Sequence, residues 1–106
     1  MGAEYIAVND LDYKAKLAST NGIILFYKNL CPNCKALEKV IDKFIAANTD
    51  VQYIRVDSEE CPGVMSEFNV ERVPTILILK AGRILGRKVG LMNLREMTHF
   101  YEHSLI

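Results

Sequence analysis

Two cysteines three positions apart, Cys31 and Cys34, are the residues of this chain best suited to chemistry. The motif Cys31-Pro32-Asn33-Cys34 directly follows the apolar run at residues 22–27 and directly precedes a pattern typical of an amphipathic helix. A strand that delivers two thiols onto the first turn of a helix places both under the influence of that helix. The pattern therefore predicts a redox-active dithiol.

The position of each thiol on the predicted helix gives it a different role. Cys31 falls at the N-cap, where free backbone N–H groups and the positive end of the helix dipole favour a thiolate, with a pKa of about 3.5 to 7.5 instead of about 8.5. Pro32 suits the first helical position because its fixed φ is helical and no donor is needed there. We expect Cys31 to attack a substrate disulfide and Cys34 to resolve the resulting mixed disulfide.

A lone C-x-x-C pattern also occurs in metal sites. A zinc site needs a second pair of ligands, and Cys61, His99 and His103 are the residues left to supply it. A metal or iron-sulfur binding module is therefore the alternative from another functional class, and a non-catalytic interaction module is a third. The strand, the proline and the helix favour the redox interpretation, which needs no metal and no cofactor beyond the disulfide.

Apolar periodicity predicts the elements that position the dithiol. Strands are expected at residues 4–8, 23–28, 51–56, 75–79 and 84–89, the last two joined by a hairpin turn. Helices are expected from a cap at Asn9 or Asp10 to about residue 20, at 32–48, at 62–68, and from about Asn93 onward. Residues 93–96 have capping-box spacing, and the apolar face of this last helix comprises Leu94, Met97, Phe100, Tyr101 and Leu105.

The order of these elements, β-α-β-α-β-α-β-β-α, predicts an α/β fold. Its centre is a mixed five-stranded sheet flanked by four helices, with helices on both faces. The length of 106 residues predicts a single domain, 1–106.

Composition excludes several functional classes. Thirteen basic and 13 acidic residues balance, so no overall field attracts the chain to nucleic acid or to an anionic membrane. No apolar stretch approaches the roughly 20 residues of a transmembrane helix, and the first residues do not match a signal peptide, so the expected location is cytoplasmic. Three cysteines are too few for a disulfide scaffold and favour reactive thiols.

Val73-Pro74-Thr75 stands just before the fourth strand, and together with the C-x-x-C motif it makes the chain resemble the thioredoxin superfamily. The resemblance implies a thioredoxin fold and a thiol-disulfide oxidoreductase. It also implies that the Val73–Pro74 peptide bond is cis and lies against the dithiol, and that the Val73 backbone binds an extended substrate strand. The residues implied to border this substrate groove are Leu30, Gly90 and Leu91.

The chain departs from the thioredoxin pattern around the thiols. Where thioredoxins have Trp-Cys-Gly-Pro-Cys, Leu30 replaces the tryptophan and the proline moves forward, as in glutaredoxins. Alignment from Cys31 places Leu25 where thioredoxins keep a buried acid that serves the resolving cysteine, and Tyr53 where they keep a buried lysine. Without that acid, water or a substrate group is left to take the Cys34 proton.

The implied partners are disulfide-containing proteins. Residues 83–86 and 90–93 do not reproduce the Gly-Gly and Asp that usually mark a glutathione site. The expected electron donor is therefore a thioredoxin-reductase-like flavoprotein, with a glutathione-linked, glutaredoxin-like reductase as the alternative. The protein is expected to be a monomer.

Cys61 also precedes a proline, and two interpretations of it stay open. It can cap a helix at the same edge of the sheet as the dithiol and act as a regulatory thiol, or it can be an incidental small residue. Acidic residues at positions 57, 59 and 60 oppose a thiolate there.

Overall fold

A computed structural model describes residues 3–106, so the first two residues of the predicted domain lie outside it. The predicted element order and fold class are confirmed. The strands are β1 Ile6–Ala7, β2 Asn21–Tyr27, β3 Gln52–Asp57, β4 Thr75–Lys80 and β5 Arg83–Val89. The helices are α1 Tyr13–Leu17, α2 Pro32–Ala47, α3 Pro62–Glu67 and α4 Leu94–Ser104.

The five strands form one mixed sheet in the order β1-β3-β2-β4-β5. β2 lies at the centre, parallel to β3 and antiparallel to β4, and β5 pairs antiparallel with β4. Residues 23–26 of β2 are all fully buried, which confirms the prediction of a strand covered on both faces. The carboxyl ends of β2 and β3 and the start of β4 therefore meet at one edge of the sheet.

Each face of the sheet carries its own apolar core. One core joins the sheet to α1 and α3, and its larger members are Tyr13, Leu17, Phe26, Ile54 and Val64. The other joins the sheet to α2 and α4, and its larger members are Leu25, Leu37, Ile41, Phe44 and Met97. Burial of each such side chain contributes about 1.5–3 kcal/mol. The second core therefore holds α2 firmly against β2.

The first helix is shorter than predicted. α1 begins after Asp12, because the Asn9 side chain accepts hydrogen bonds from the backbone N–H groups of Leu11 and Asp12 and closes a turn ahead of the helix. Asp10, the other predicted cap, does not bind α1 at all. Its carboxylate accepts hydrogen bonds from the N–H groups of Gly63 and Val64 at the start of α3.

Two further predictions are corrected at the ends of the chain. β1 pairs with β3 over only two residues instead of the five expected. The capping box at Asn93 and Glu96 is present, but Leu94 and Leu105, expected on the apolar face of α4, are 41% and 48% exposed. Met97 is fully buried and anchors the helix. Within residues 3–106, no helix is long and apolar enough to cross a membrane.

Candidate functional site

The junction between β2 and α2 positions the two thiols. β2 ends at Tyr27, and the chain turns through Leu30, whose φ of 58° lies in the left-handed region and whose side chain is 90% exposed. Cys31 then adopts extended backbone at the N-cap of α2, and Pro32 occupies the first helical position. The predicted start of this helix is confirmed at the residue, because each of its signals is local.

Cys31 and Cys34 are joined in a disulfide, with their Cα atoms 5.2 Å apart. The backbone N–H of Cys34 donates a hydrogen bond to the Cys31 Sγ over 3.2 Å, so the sulfur takes the place of a capping oxygen. An anionic sulfur accepts such a bond more strongly than a neutral one, and the helix dipole adds to the effect. Once the disulfide is reduced, this geometry favours a thiolate at Cys31.

The two thiols differ in accessibility. Cys31 is 7% exposed, whereas Cys34 is completely buried on the face of α2 that packs against the sheet. Asn33, between them, is exposed. A substrate sulfur can therefore approach Cys31 from outside, and Cys34 can be reached only from within the motif.

The Val73–Pro74 peptide bond is cis. Pro74 is buried, Val73 is half-buried, and the Pro74 carbonyl accepts a hydrogen bond from the Gly90 N–H over 2.9 Å. Thr75, the first residue of β4, pairs with Phe26 of β2, one residue before that strand ends. The fold thus brings the cis peptide bond and Gly90 to the same edge of the sheet as the dithiol.

Leu30 and Leu91 leave apolar surface exposed at this edge. Leu30 adjoins Cys31 in the chain, and Leu91, which is 50% exposed, follows Gly90. Gly90 has φ of 97°, a backbone conformation that favours glycine.

Cys61 lies in surroundings unlike those of Cys31. It is at the N-cap of α3, but it is 2% exposed, and its thiol donates to the Val8 carbonyl over 3.5 Å. The N–H groups at the start of α3 are taken by Asp10. Burial raises the pKa of the Cys61 thiol, and the charges of Asp10 and Asp57 raise it further. Cys61 takes no part in the disulfide.

Leu25 stands where thioredoxins keep a buried acid, and its side chain is fully buried in the core that the sheet shares with α2. Its register partner on β3 is Arg55, whose guanidinium forms an ion pair with Glu38 of α2 at 3.0 Å. The side chains of Arg55 and Glu38 are only 18% and 23% exposed. The guanidinium also lies over the rings of Tyr5 and Tyr27, at 4.6 and 4.4 Å from their centroids.

This charged pair was not predicted from the sequence. Two signals pointed to it: an arginine inside a strand whose alternate residues face α2, and a glutamate four residues after Cys34. Tyr53, at the position of the lysine kept in thioredoxins, is 3% exposed, and burial raises its pKa above the ordinary value.

Among residues 3–106, no three His, Cys, Asp or Glu side chains are grouped so as to hold a metal ion. His99 and His103 stack on α4 with ring centroids 3.9 Å apart. The Cys61 thiol donates to the Val8 carbonyl. Among the described residues, the side chains considered as a second pair of ligands form no cluster with the dithiol.

Comparison with known proteins gives a family match over nearly the whole chain. The family model described as Thioredoxin matches residues 4–103. Among curated proteins, mitochondrial thioredoxin-3 of Saccharomyces cerevisiae is 32% identical over 68 residues, which cover 64% of this chain and 54% of that protein. The thioredoxin of Haemophilus influenzae is 23% identical over 106 residues, which cover 97% and 99% of the two chains.

The chain spans about half the length of several curated relatives, such as 48% of thioredoxin-2 of Pyricularia oryzae. Among solved structures, it is similar to desulfothioredoxin from Desulfovibrio vulgaris Hildenborough in its reduced form. The sequence identity is 36% and the TM-score is 0.81, over 97% of this chain and 99% of that one.

Proposed function

The chain belongs to the thioredoxin family, and we propose that it is a thiol-disulfide oxidoreductase that exchanges electrons with disulfides in other proteins. The observation that carries the proposal is the Cys31–Cys34 disulfide at the start of α2, where a backbone N–H is directed at the outer sulfur. Such a couple can be reduced and oxidised reversibly without a further cofactor.

The reaction follows from the unequal positions of the two sulfurs. In the reduced protein, the Cys31 thiolate attacks one sulfur of a substrate disulfide, forms a mixed disulfide and releases the other substrate sulfur as a thiolate. Cys34 then attacks the Cys31 sulfur, the bond from Cys31 to the substrate breaks, and the second substrate thiolate leaves. Two electrons pass to the substrate, and the Cys31–Cys34 disulfide closes.

Substrate is recognised mainly through its main chain. We assign the groove to the half-buried Val73, the cis Pro74 and the apolar surface of Leu30 and Leu91, with Gly90 leaving room for an incoming chain. An extended segment that adds beside Val73 gains backbone hydrogen bonds with little demand on its sequence. This arrangement suits a carrier with several protein substrates.

Mixed-disulfide trapping tests the assignment of the nucleophile. Cys34→Ser leaves Cys31 able to attack but removes the group that releases the substrate, so partners are expected to accumulate as disulfides with Cys31. Cys31→Ser is the matched control and is expected to trap none. Recovery of the same partners with Cys31→Ser would reverse the roles of the two cysteines.

The electron donor proposed is a thioredoxin-reductase-like flavoprotein, and the location proposed is the cytoplasm. NADPH-dependent reduction of insulin disulfides, driven by a purified thioredoxin reductase, is expected to exceed reduction driven by glutathione and glutathione reductase. The opposite order would favour the glutathione-linked alternative. Labelling of the dithiol in intact cells is expected to find it mainly reduced, and a mainly oxidised dithiol would contradict the cytoplasmic assignment.

A further inference from the structure

We propose that Glu38, fixed by Arg55, accepts the proton of Cys34 when the mixed disulfide is resolved. The proton acceptor then lies on α2. In thioredoxins the corresponding acid lies on β2, at the position that Leu25 occupies here. This inference rests on the function proposed above. It identifies a residue that serves the resolving step and leaves the role of Cys31 unchanged.

The helix places Glu38 beside Cys34. The two residues are four positions apart on α2, and residues so spaced are neighbours with Cβ atoms about 5–6 Å apart. Helical side chains lean toward the N-terminus of their helix, and Cys34 lies on that side of Glu38. A carboxylate at this spacing can reach a thiol directly or through one water molecule.

Arg55 holds the carboxylate in this place. Its guanidinium lies over the rings of Tyr5 and Tyr27 and pairs with Glu38 Oε1 at 3.0 Å. Arg55 is the register partner of Leu25, so the ion pair lies on the same face of the sheet as the Leu25 side chain, which stands where thioredoxins keep their buried acid. The pair uses one carboxylate oxygen, and the second oxygen can receive a proton.

Other titratable groups face this region from three sides: Tyr5 ahead of β1, Tyr27 on β2, Tyr53 and Asp57 on β3, and Asp42 on α2. Burial raises the pKa of Tyr27 and of Tyr53, so these phenols stay protonated near neutral pH.

The other two carboxylates are already engaged by backbone. Asp42 accepts a hydrogen bond from the Ala3 N–H, and Asp57 accepts one from the Glu59 N–H. Asp42 lies a further turn from Cys34, about 12 Å along the helix axis at 1.5 Å per residue. Glu38 is therefore the carboxylate on α2 that is nearest to the resolving thiol.

The step balances in protons and electrons. The Cys34 S–H proton passes to the Glu38 carboxylate while the Cys34 sulfur attacks Cys31. The bond between Cys31 and the substrate sulfur breaks, and the departing thiolate carries away its electron pair. The proton on Glu38 is then released to solvent or to that thiolate.

Stopped-flow reaction of the reduced protein with 5,5′-dithiobis(2-nitrobenzoate) tests the proposal, because it separates the two steps. Attack by Cys31 releases the first coloured thiolate, and resolution by Cys34 releases the second. Glu38→Gln is expected to leave the first rate within about twofold and to slow the second at least about tenfold at pH 7. Between pH 6 and 8, the second rate of Glu38→Gln is expected to rise about tenfold per pH unit, more steeply than in the wild type.

Two variants separate proton acceptance from a structural effect. Asp42→Asn removes a carboxylate from the same helix but keeps an oxygen for the Ala3 N–H, and it is expected to leave both phases and their pH profiles unchanged. Glu38→Asp restores a carboxylate and is expected to recover part of the second rate.

The outcomes distinguish failure of this inference from failure of the proposed function. If the second phase has the same rate and the same pH profile in the wild type and in Glu38→Gln, Glu38 does not accept the proton. If Glu38→Asp slows the second phase as much as Glu38→Gln does, the role of Glu38 as proton acceptor is overturned as well. Release of only one coloured thiolate per molecule of the wild type would instead contradict the proposed function.

Discussion

Cys31 and Cys61 show how one local sequence pattern produces two thiols with different surroundings. Each cysteine is an N-cap followed by proline. At Cys31, a helical N–H reaches the sulfur, whereas at Cys61 the N–H groups of α3 are directed at Asp10. The Cys61 thiol donates to a carbonyl instead of receiving a donor. These surroundings favour the incidental interpretation of Cys61 over the regulatory one.

Alkylation of the reduced protein tests this contrast. A raised pKa means that Cys61 has a smaller thiolate fraction than a free cysteine at any pH below that pKa, and burial limits access as well. Iodoacetamide at pH 7 is therefore expected to modify Cys31 and to leave Cys61 unmodified until urea unfolds the chain. Peptide mass mapping reads the result, and equal labelling of both residues in the folded protein would contradict it.

Arg55 is expected to stabilise the fold through the shape of its guanidinium as well as its charge. Arg55→Lys keeps the charge but loses the planar stacking on Tyr5 and Tyr27, at an expected cost of about 1–2 kcal/mol in the free energy of unfolding. Urea titration measures this cost. Arg83→Lys on the exposed start of β5 is the matched control and is expected to change little. Equal values for the two variants would argue against the stacked arrangement.

Asp10 links the loop before α1 to the start of α3. Its partners Gly63 and Val64 are 53 and 54 residues away in the chain. The carboxylate is also among the charges that raise the pKa of Cys61, so the link affects the chemistry of that thiol.

Removal of this cap is expected to destabilise the protein. Asp10→Ala leaves two N–H groups of α3 without their acceptor, at an expected cost of about 1 kcal/mol in urea titration. Asp50→Ala, which removes an exposed carboxylate between α2 and β3, is the control and should leave stability nearly unchanged. If Asp10→Ala is as stable as the control, the cap contributes nothing to α3.

The hydrogen bonds from α3 to Asp10 show why some boundaries of helices could be predicted from the sequence and others could not. The start of α2 and the capping box of α4 depend on residues within four positions of each other, so their patterns were sufficient. The start of α1 depends on a choice between two capping side chains. One of them, Asp10, binds a distant helix, and a local pattern contains no sign of such a partner.

The candidate site could be predicted from the sequence only where short motifs specify its residues. C-P-N-C and V-P-T identified the thiols and the turn that lies at the same edge of the sheet. The Glu38–Arg55 pair could not be found in the same way, because it depends on the strand register and on how α2 lies across β3.

We propose that the protein is a monomer in solution. The 12.0 kDa chain has both of its cores covered, and the described residues have a radius of gyration of 12.5 Å. Light scattering coupled to size exclusion is expected to give a mass near that of one chain, in both the oxidised and the reduced state. A mass of two chains would contradict the proposal and would indicate that the exposed apolar surface at Leu30 and Leu91 mediates association.

We propose that the start of α2 makes Cys31 an anionic nucleophile that bonds reversibly to Cys34. The most direct test is the pH dependence of Cys31 alkylation in the reduced protein, followed by mass spectrometry. The rate is expected to reach half its maximum at a pH of about 3.5 to 7.5, well below the 8.5 of a free cysteine. A midpoint at or above that of free cysteine would show that the start of α2 does not favour a thiolate at Cys31.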